Sequence, residues 1–173
     1  MIPYGRQKIS DQDVEAVVAV LRSDFLTQGP KVPEFEAALC KLTGAKHAVA
    51  MNSATSALHA ACLALGLGPG DRLWTTPITF VASANCGIYC GATVDFVDID
   101  TETFNLCTGS LEQKLIAAAK NNRLPKILIP VHFGGNPCDM TKIKQLSLTY
   151  GFRIIEDASH AIGAQHHRSK IGS

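Results

Sequence analysis

The 173-residue sequence has no apolar run near the ~18 residues that a membrane-spanning helix requires. Its start, Met1-Ile2-Pro3-Tyr4-Gly5-Arg6, lacks the charged-then-apolar order of a secretory signal, so a cytoplasmic protein is expected. Charge of neither sign dominates. With 16 Lys+Arg against 15 Asp+Glu the net charge is +1, which removes the electrostatic case for nucleic acid or an anionic membrane as the main partner. A small acidic ligand stays open, because a local anion site needs only a few oriented donors. There is also no CxxC pair: Cys40, Cys62, Cys86, Cys90, Cys107 and Cys138 are scattered among apolar neighbours. They read as reduced core thiols and not as a disulfide framework or zinc site. Cys86 and Cys90 share a helical face at i,i+4, but no ligand-type neighbour stands with them and no metal is expected.

What is present is apolar bulk. At 46% hydrophobic and 18% charged residues, the chain has the length and the apolar share to bury the core of one domain, which excludes a disordered or low-complexity reading. Ser10-Asp11-Gln12-Asp13 is a helix start, with a Ser cap and acidic first turn leading into Val14, Val17, Val18 and Leu21. Phe25 to Pro33, with Gly29 and two prolines, reads as an ordered loop. A second helix follows from Glu34 to about Leu42, closed by Gly44.

From His47 onward the period changes. Short apolar runs at Ala48–Met51, Leu73–Thr76, Val94–Val97, Ile127–Val131 and Phe152–Ile155 alternate with helix-length segments at Ala54–Leu65, Val81–Tyr89, Ser110–Lys120 and Met140–Tyr150. Uniformly apolar strands separated by helices are the signature of an α/β fold, a largely parallel sheet covered on both faces in three layers. Ligands of such sheets sit at the carboxyl ends of the strands. The last residues, Gln165 to Ser173, read as a turn or the start of a hairpin and not as a domain end, so a truncated domain is expected.

At those strand ends the sequence places candidate chemistry. Asn52-Ser53-Ala54-Thr55-Ser56-Ala57-Leu58 brings small and hydroxyl residues into a helix start, where free N–H groups and the dipole suit a phosphate, although an ordinary Ser or Thr cap reads the same way. Gly66-Leu67-Gly68-Pro69-Gly70-Asp71 resembles a phosphate loop but precedes a strand, and is read as a turn. For the same reason a dinucleotide-binding domain is disfavoured. Phe80 stands at a strand-to-helix junction, as core or as a platform for a flat ligand. His132, Gly134, Gly135 and Asn136 form a polar loop. Asp157, directly after Ile154-Ile155-Glu156, is costly to bury without a cation or several donors, and His160 follows three residues on. A helix cap and a surface histidine would explain this pair equally well.

Taken in order, these segments resemble the fold-type I, pyridoxal phosphate-dependent sugar aminotransferases of the DegT/DnrJ/EryC1/StrS family. The resemblance spans nearly the whole chain: Leu26-Thr27-Gln28-Gly29-Pro30, Asn52 to Leu58, Pro77-Ile78-Thr79-Phe80-Val81-Ala82, Val97-Asp98-Ile99-Asp100 with Asn105, Pro130-Val131-His132, Gly135-Asn136 and Glu156 to Gly163. It implies the large domain of that fold, with residues 1–33 as N-terminal helix and substrate loop and 34–173 as a partial cofactor-binding domain. It also implies pyridoxal 5'-phosphate as cofactor. Ser53, Ala54 and Thr55 would hold the phosphate, Phe80 would stack on the ring, Asp157 would pair with the ring nitrogen and His160 would lie near the phenolic oxygen. Asp157 and His160 are thus the implied catalytic residues, and Thr27, Gln28 and Gly29 the implied substrate-binding ones.

The resemblance further implies a homodimer that moves an amino group from glutamate to C4 of a UDP-linked 4-keto-6-deoxy amino sugar, as in the branch leading to pseudaminic acid. In the family the aldimine-forming lysine lies in a segment that would follow Ser173. Lys170 lacks that context and reads as solvated. Two alternatives therefore stand beside the aminotransferase: a sugar dehydratase of the same family, with histidine in place of that lysine, and a non-catalytic remnant that binds cofactor or sugar nucleotide.

Overall fold

The computed structural model describes residues 5–173, so the part of the expected extended start that falls in residues 1–4 lies outside the described residues. Helix α1 (Asp11–Leu21) begins with a capping box. Ser10 Oγ accepts from the Asp13 N–H at 3.3 Å, and Asp13 Oδ2 accepts from the Ser10 N–H at 2.7 Å, so two donors that a helix start leaves open are satisfied. Helix α2 (Lys31–Thr43) starts three residues before the expected Glu34. Pro33 is tolerated there because first-turn N–H groups have no intrahelical partner, and Lys31 and Glu34 pair across that turn at 2.6 Å. Gly44, at φ 91°, ends the helix as expected.

The remaining elements are α3 (Ala54–Ala64), β1 (Arg72–Thr75), α4 (Ala82–Tyr89), β2 (Thr93–Phe96), α5 (Thr108–Lys120), β3 (Ile127–Leu128), α6 (Met140–Tyr150) and β4 (Arg153–Ile154). Strands β1 to β4 form one sheet in the order β2-β1-β3-β4, with every pairing parallel. A hairpin of β5 (Gln165–His166) and β6 (Ser169–Lys170) follows, as the turn-like sequence predicted, and Lys170 lies exposed in it. The Gly66–Asp71 segment is a turn. Asp71 Oδ2 accepts from the Gly68 N–H at 2.9 Å and pairs with Lys126 at 2.7 Å, and that ammonium holds the Asp71 carboxyl below its ordinary range.

The strand expected over Ala48–Met51 does not form. The segment pairs with no strand among the described residues, and Val49 is 73% exposed. An apolar run becomes a strand only when a neighbour takes its N–H and C=O groups, and here the Ala50 N–H goes to Glu36 Oε1 at 2.8 Å.

Side-chain alternation divides the core in two. Leu73, Ile127 and Ile129 point to one face, where Leu58 and Cys62 of α3 and Ala82 and Cys86 of α4 cover them. Trp74 and Leu128 point to the other, against Leu111 and Leu115 of α5 and Ile143 and Leu146 of α6. Burying both faces accounts for the unbroken apolar runs of the strands. The six cysteines are free thiols, and Cys62, Cys86, Cys90 and Cys138 are buried. Burial pushes the Cys138 thiol up to about 11.

Removing Leu111, fully buried between α5 and the sheet, should cost about 2–5 kcal/mol as Leu111→Ala, while Leu148→Ala at a 75% exposed position should stay within about 0.5 kcal/mol. Urea unfolding of the two variants checks this, and equal midpoints would contradict the two-faced core. Gly135 sits at φ +85°, and a Cβ there would come within 2.7 Å of the His160 carbonyl oxygen. Gly135→Ala should therefore lower stability by about 1–3 kcal/mol, readable as a fall in Tm.

Candidate active site

The carboxyl ends of β1, β3 and β4 face the amino end of α3 across a cavity of about 460 Å³. Its walls include Ala54, Thr55 and Leu58 of α3, Thr79 and Phe80 after β1, Val131 and His132 after β3, and Asp157, Ser159 and His160 after β4. That volume suits a small cofactor-sized molecule.

Asp157 is the buried charge of this site, 7% exposed. Its backbone is fixed on both sides: the N–H donates to Pro130 O at 3.0 Å, and the carbonyl accepts from the His132 N–H at 3.1 Å. This is the parallel bridge between Val131 and Asp157, which continues the β3–β4 pairing past its last regular residue. The carboxylate is held as firmly. Oδ2 accepts from the Ser83 hydroxyl at 2.6 Å, and Oδ1 accepts from the Ser159 hydroxyl at 2.6 Å and the Ser159 N–H at 3.2 Å. Such donors offset the desolvation of a buried anion. They come from α4 and from the turn after β4, and no charged side chain among the described residues is hydrogen-bonded to it.

The loop after β3 is rigid by construction. Asn105, 5% exposed, donates to the carbonyls of Asn136 and Pro137 at 3.0 and 3.2 Å and accepts from the Phe133 N–H at 3.0 Å. His132 accepts at Nδ1 from the Cys138 N–H at 3.0 Å, so its ring proton sits on Nε2, directed at Glu156 Oε2 3.0 Å away. Both ring nitrogens are thereby engaged away from any ligand, and His132 is a wall of the cavity. Gly134 and Gly135, at φ 60° and 85°, turn the chain here.

At the opposite wall, Ser53 caps α3, its hydroxyl accepting from the Ser56 N–H at 3.2 Å. The Ala54 and Thr55 N–H groups have no partner among the described residues and open at the positive end of the helix. Phe80 lines the cavity while 73% exposed, an aromatic face with little protein against it. A free pair of amides, an open aromatic face and a buried carboxylate around one space fit a flat, protonated heterocycle that carries an anionic group.

Of the residues singled out in the sequence, Ala54, Thr55, Phe80, Asp157 and His160 meet at this cavity. Ser53 stands one residue outside it as the cap. Gln28 and Gly29 line a separate space of about 170 Å³ with Phe25 and Lys31, and Thr27 lies in the same loop. No lysine lines the main cavity among the described residues. The sequence did not reveal Ser83 and Ser159 as partners of the carboxylate, nor Thr79 as a partner of the Ser83 hydroxyl, since a lone hydroxyl in an apolar helix or a turn carries no local signal of what it will face.

Comparison with known proteins identifies the family of the chain. Residues 7–173 match the DegT/DnrJ/EryC1/StrS aminotransferase family. The spore coat polysaccharide biosynthesis protein SpsC of Bacillus subtilis is 42% identical over 172 residues, 99% of this chain and 43% of that protein. The UDP-4-amino-4,6-dideoxy-N-acetyl-beta-L-altrosamine transaminase of Campylobacter jejuni is 43% identical over 173 residues, all of this chain and 45% of that protein. Among solved structures, Helicobacter pylori PseC, an aminotransferase involved in pseudoaminic acid biosynthesis, superposes with a TM-score of 0.90 at 32% identity, over 98% of this chain and 44% of its own. A sugar aminotransferase of Streptococcus pneumoniae, Spr1654 in its PLP form, gives 0.89 at 30% identity over 99% of this chain and 46% of its own. The chain thus spans less than half the length of the relatives it matches. It belongs to the DegT/DnrJ/EryC1/StrS aminotransferase family.

Proposed function

We propose that the protein to which this chain contributes is a pyridoxal 5'-phosphate-dependent aminotransferase. In this reading it moves an amino group from glutamate to C4 of a UDP-linked 4-keto-6-deoxy amino sugar. The observation that carries the reading is the Asp157 carboxylate, buried, without an ion-pair partner among the described residues and turned into a cavity that also holds open helix amides and an exposed aromatic. The sugar class is supported by the 43% identity to the altrosamine transaminase.

When bound, the cofactor supplies an electron sink that stabilises negative charge on the substrate carbon. This chain's residues bind and orient it. The amides of Ala54 and Thr55 would take the phosphate, with Ser53 shaping the turn that presents them. Phe80 would lie against the ring face and keep water from it. Asp157 would hold a proton on the ring nitrogen, and His160, exposed at the mouth, would reach the phenolic oxygen. The Thr27-Gln28-Gly29 loop would contact the sugar nucleotide. In this reading residues 1–33 are the substrate arm and 34–173 the cofactor-binding part.

We also propose a homodimer. Val14, Val17 and Leu21 of α1 and Phe35 of α2 are all exposed, and neither helix buries a residue, so their apolar faces suit a second copy. Sedimentation of the intact protein should give twice the chain mass, and a monomer at micromolar concentration would count against this pairing.

In the intact protein, Asp157→Asn should leave cofactor binding largely unchanged and slow the half-reaction with glutamate on the order of 10²–10³-fold, followed by loss of the visible-edge absorbance. Unchanged turnover would remove Asp157 from the mechanism. A protein that stays colourless with pyridoxal 5'-phosphate would remove the cofactor.

A further inference from the structure

We infer that the hydroxyls of Ser83 and Ser159 are positioning residues that fix Asp157 as a pure acceptor and thereby decide that a proton shared with a ring nitrogen stays on the nitrogen. This rests on the cofactor reading above. Thr79 completes the device.

The direction of each hydroxyl proton follows from counting. Ser83 has one, and it is spent on Asp157 Oδ2 at 2.6 Å. The 2.9 Å contact between Thr79 Oγ1 and Ser83 Oγ must then be donated by Thr79. Ser159 spends its own proton on Asp157 Oδ1, also at 2.6 Å, and adds its N–H to the same atom. Both carboxylate oxygens therefore receive donors and neither has a proton to offer, so the lone pairs left toward the cavity can only accept. Short bonds of this kind are charge-assisted and are strongest when the acceptor is the full anion. A proton moving onto Asp157 would weaken both of them together.

The placement of the two serines supports a dedicated role. Ser83 is fully buried on α4, whose small residues Ala82, Ser83, Cys86 and Gly87 bring the helix close to the sheet, so its hydroxyl has no water to turn to. Ser159 approaches from the opposite side, in the turn after β4, and lines the cavity. Thr79, with its proton spent on Ser83, presents only lone pairs to the cavity it lines. The relay thus runs from cavity wall to buried helix to carboxylate, with one polarity throughout.

The test uses pyridoxamine 5'-phosphate labelled with ¹⁵N in the ring, which binds without a covalent bond, and reads the ring-nitrogen chemical shift of the bound molecule near neutral pH. The intact wild-type protein should show a protonated ring. Ser83→Ala and Ser159→Ala should each lower the ratio of protonated to unprotonated ring by about tenfold, the effect expected for loss of one hydrogen bond to a charged group. The double variant should lower it further. Ser159→Thr, which keeps the hydroxyl at an exposed position, should restore the wild-type shift. In an Asp157→Asn background the serine substitutions should change nothing more, because the anion they position is gone. A merely structural role would lower Tm without moving the ring shift. A bound ring that is equally protonated in the double variant overturns the inference while leaving the cofactor reading intact, and a bound ring already unprotonated in the wild type overturns it together with the role given to Asp157. An intact wild-type protein that binds no pyridoxamine 5'-phosphate overturns both the inference and the cofactor reading.

Discussion

A carboxylate taken out of water at the end of a parallel strand is the constraint around which this structure is arranged. Burial of an unpartnered anion is prohibitive, so Asp157 requires donors on both oxygens, and those donors have to come from elements that the chain brings together from far apart. Ser83 lies 74 residues away in sequence, on a helix against the opposite face from α5 and α6. Ser159 comes from the local turn. The main chain holds the same residue through Pro130 and His132, so the carboxylate is immobile from four directions before any ligand enters.

The loop that carries His132 is tied to the same point by different means. Asn105 satisfies three backbone groups of residues 133–137, and the His132 ring bridges the Cys138 amide and Glu156. Gly135 then packs so closely beneath the His160 carbonyl that no side chain fits. Two loops after two neighbouring strands are thus interlocked, which gives a cavity with fixed walls. Its open features, the Ala54 and Thr55 amides and the Phe80 face, are those without partners among the described residues. Preorganisation of this kind confines the cost of orienting a ligand to folding.

Much of this was legible in the residues. The alternation of apolar runs with helix-length segments predicted the parallel sheet, and four of its five expected strands form. Ala54, Thr55, Phe80 and Asp157, all singled out by their places at strand ends and a helix start, line one cavity, with Ser53 beside it as the cap. Ala48–Met51 shows the limit of that reasoning. Its residues have strand character, but pairing is a property of two segments, and among the described residues it has no neighbour. Thr27, Gln28 and Gly29 show another: the loop is where the sequence placed it, yet it borders a different space from the one that holds Asp157.

The sequence by itself determined the alternating layers, the helix caps at Ser10 and Gly44 and the family, because these depend on local spacing and on side chains a few residues apart. The tertiary structure alone decided that Ser83 and Ser159 would grip the two oxygens of one aspartate, that His132 would turn both ring nitrogens away from the cavity, and that Gly135 would have no room for a side chain. Those outcomes depend on distances between segments that only the packing of helices on the sheet can set.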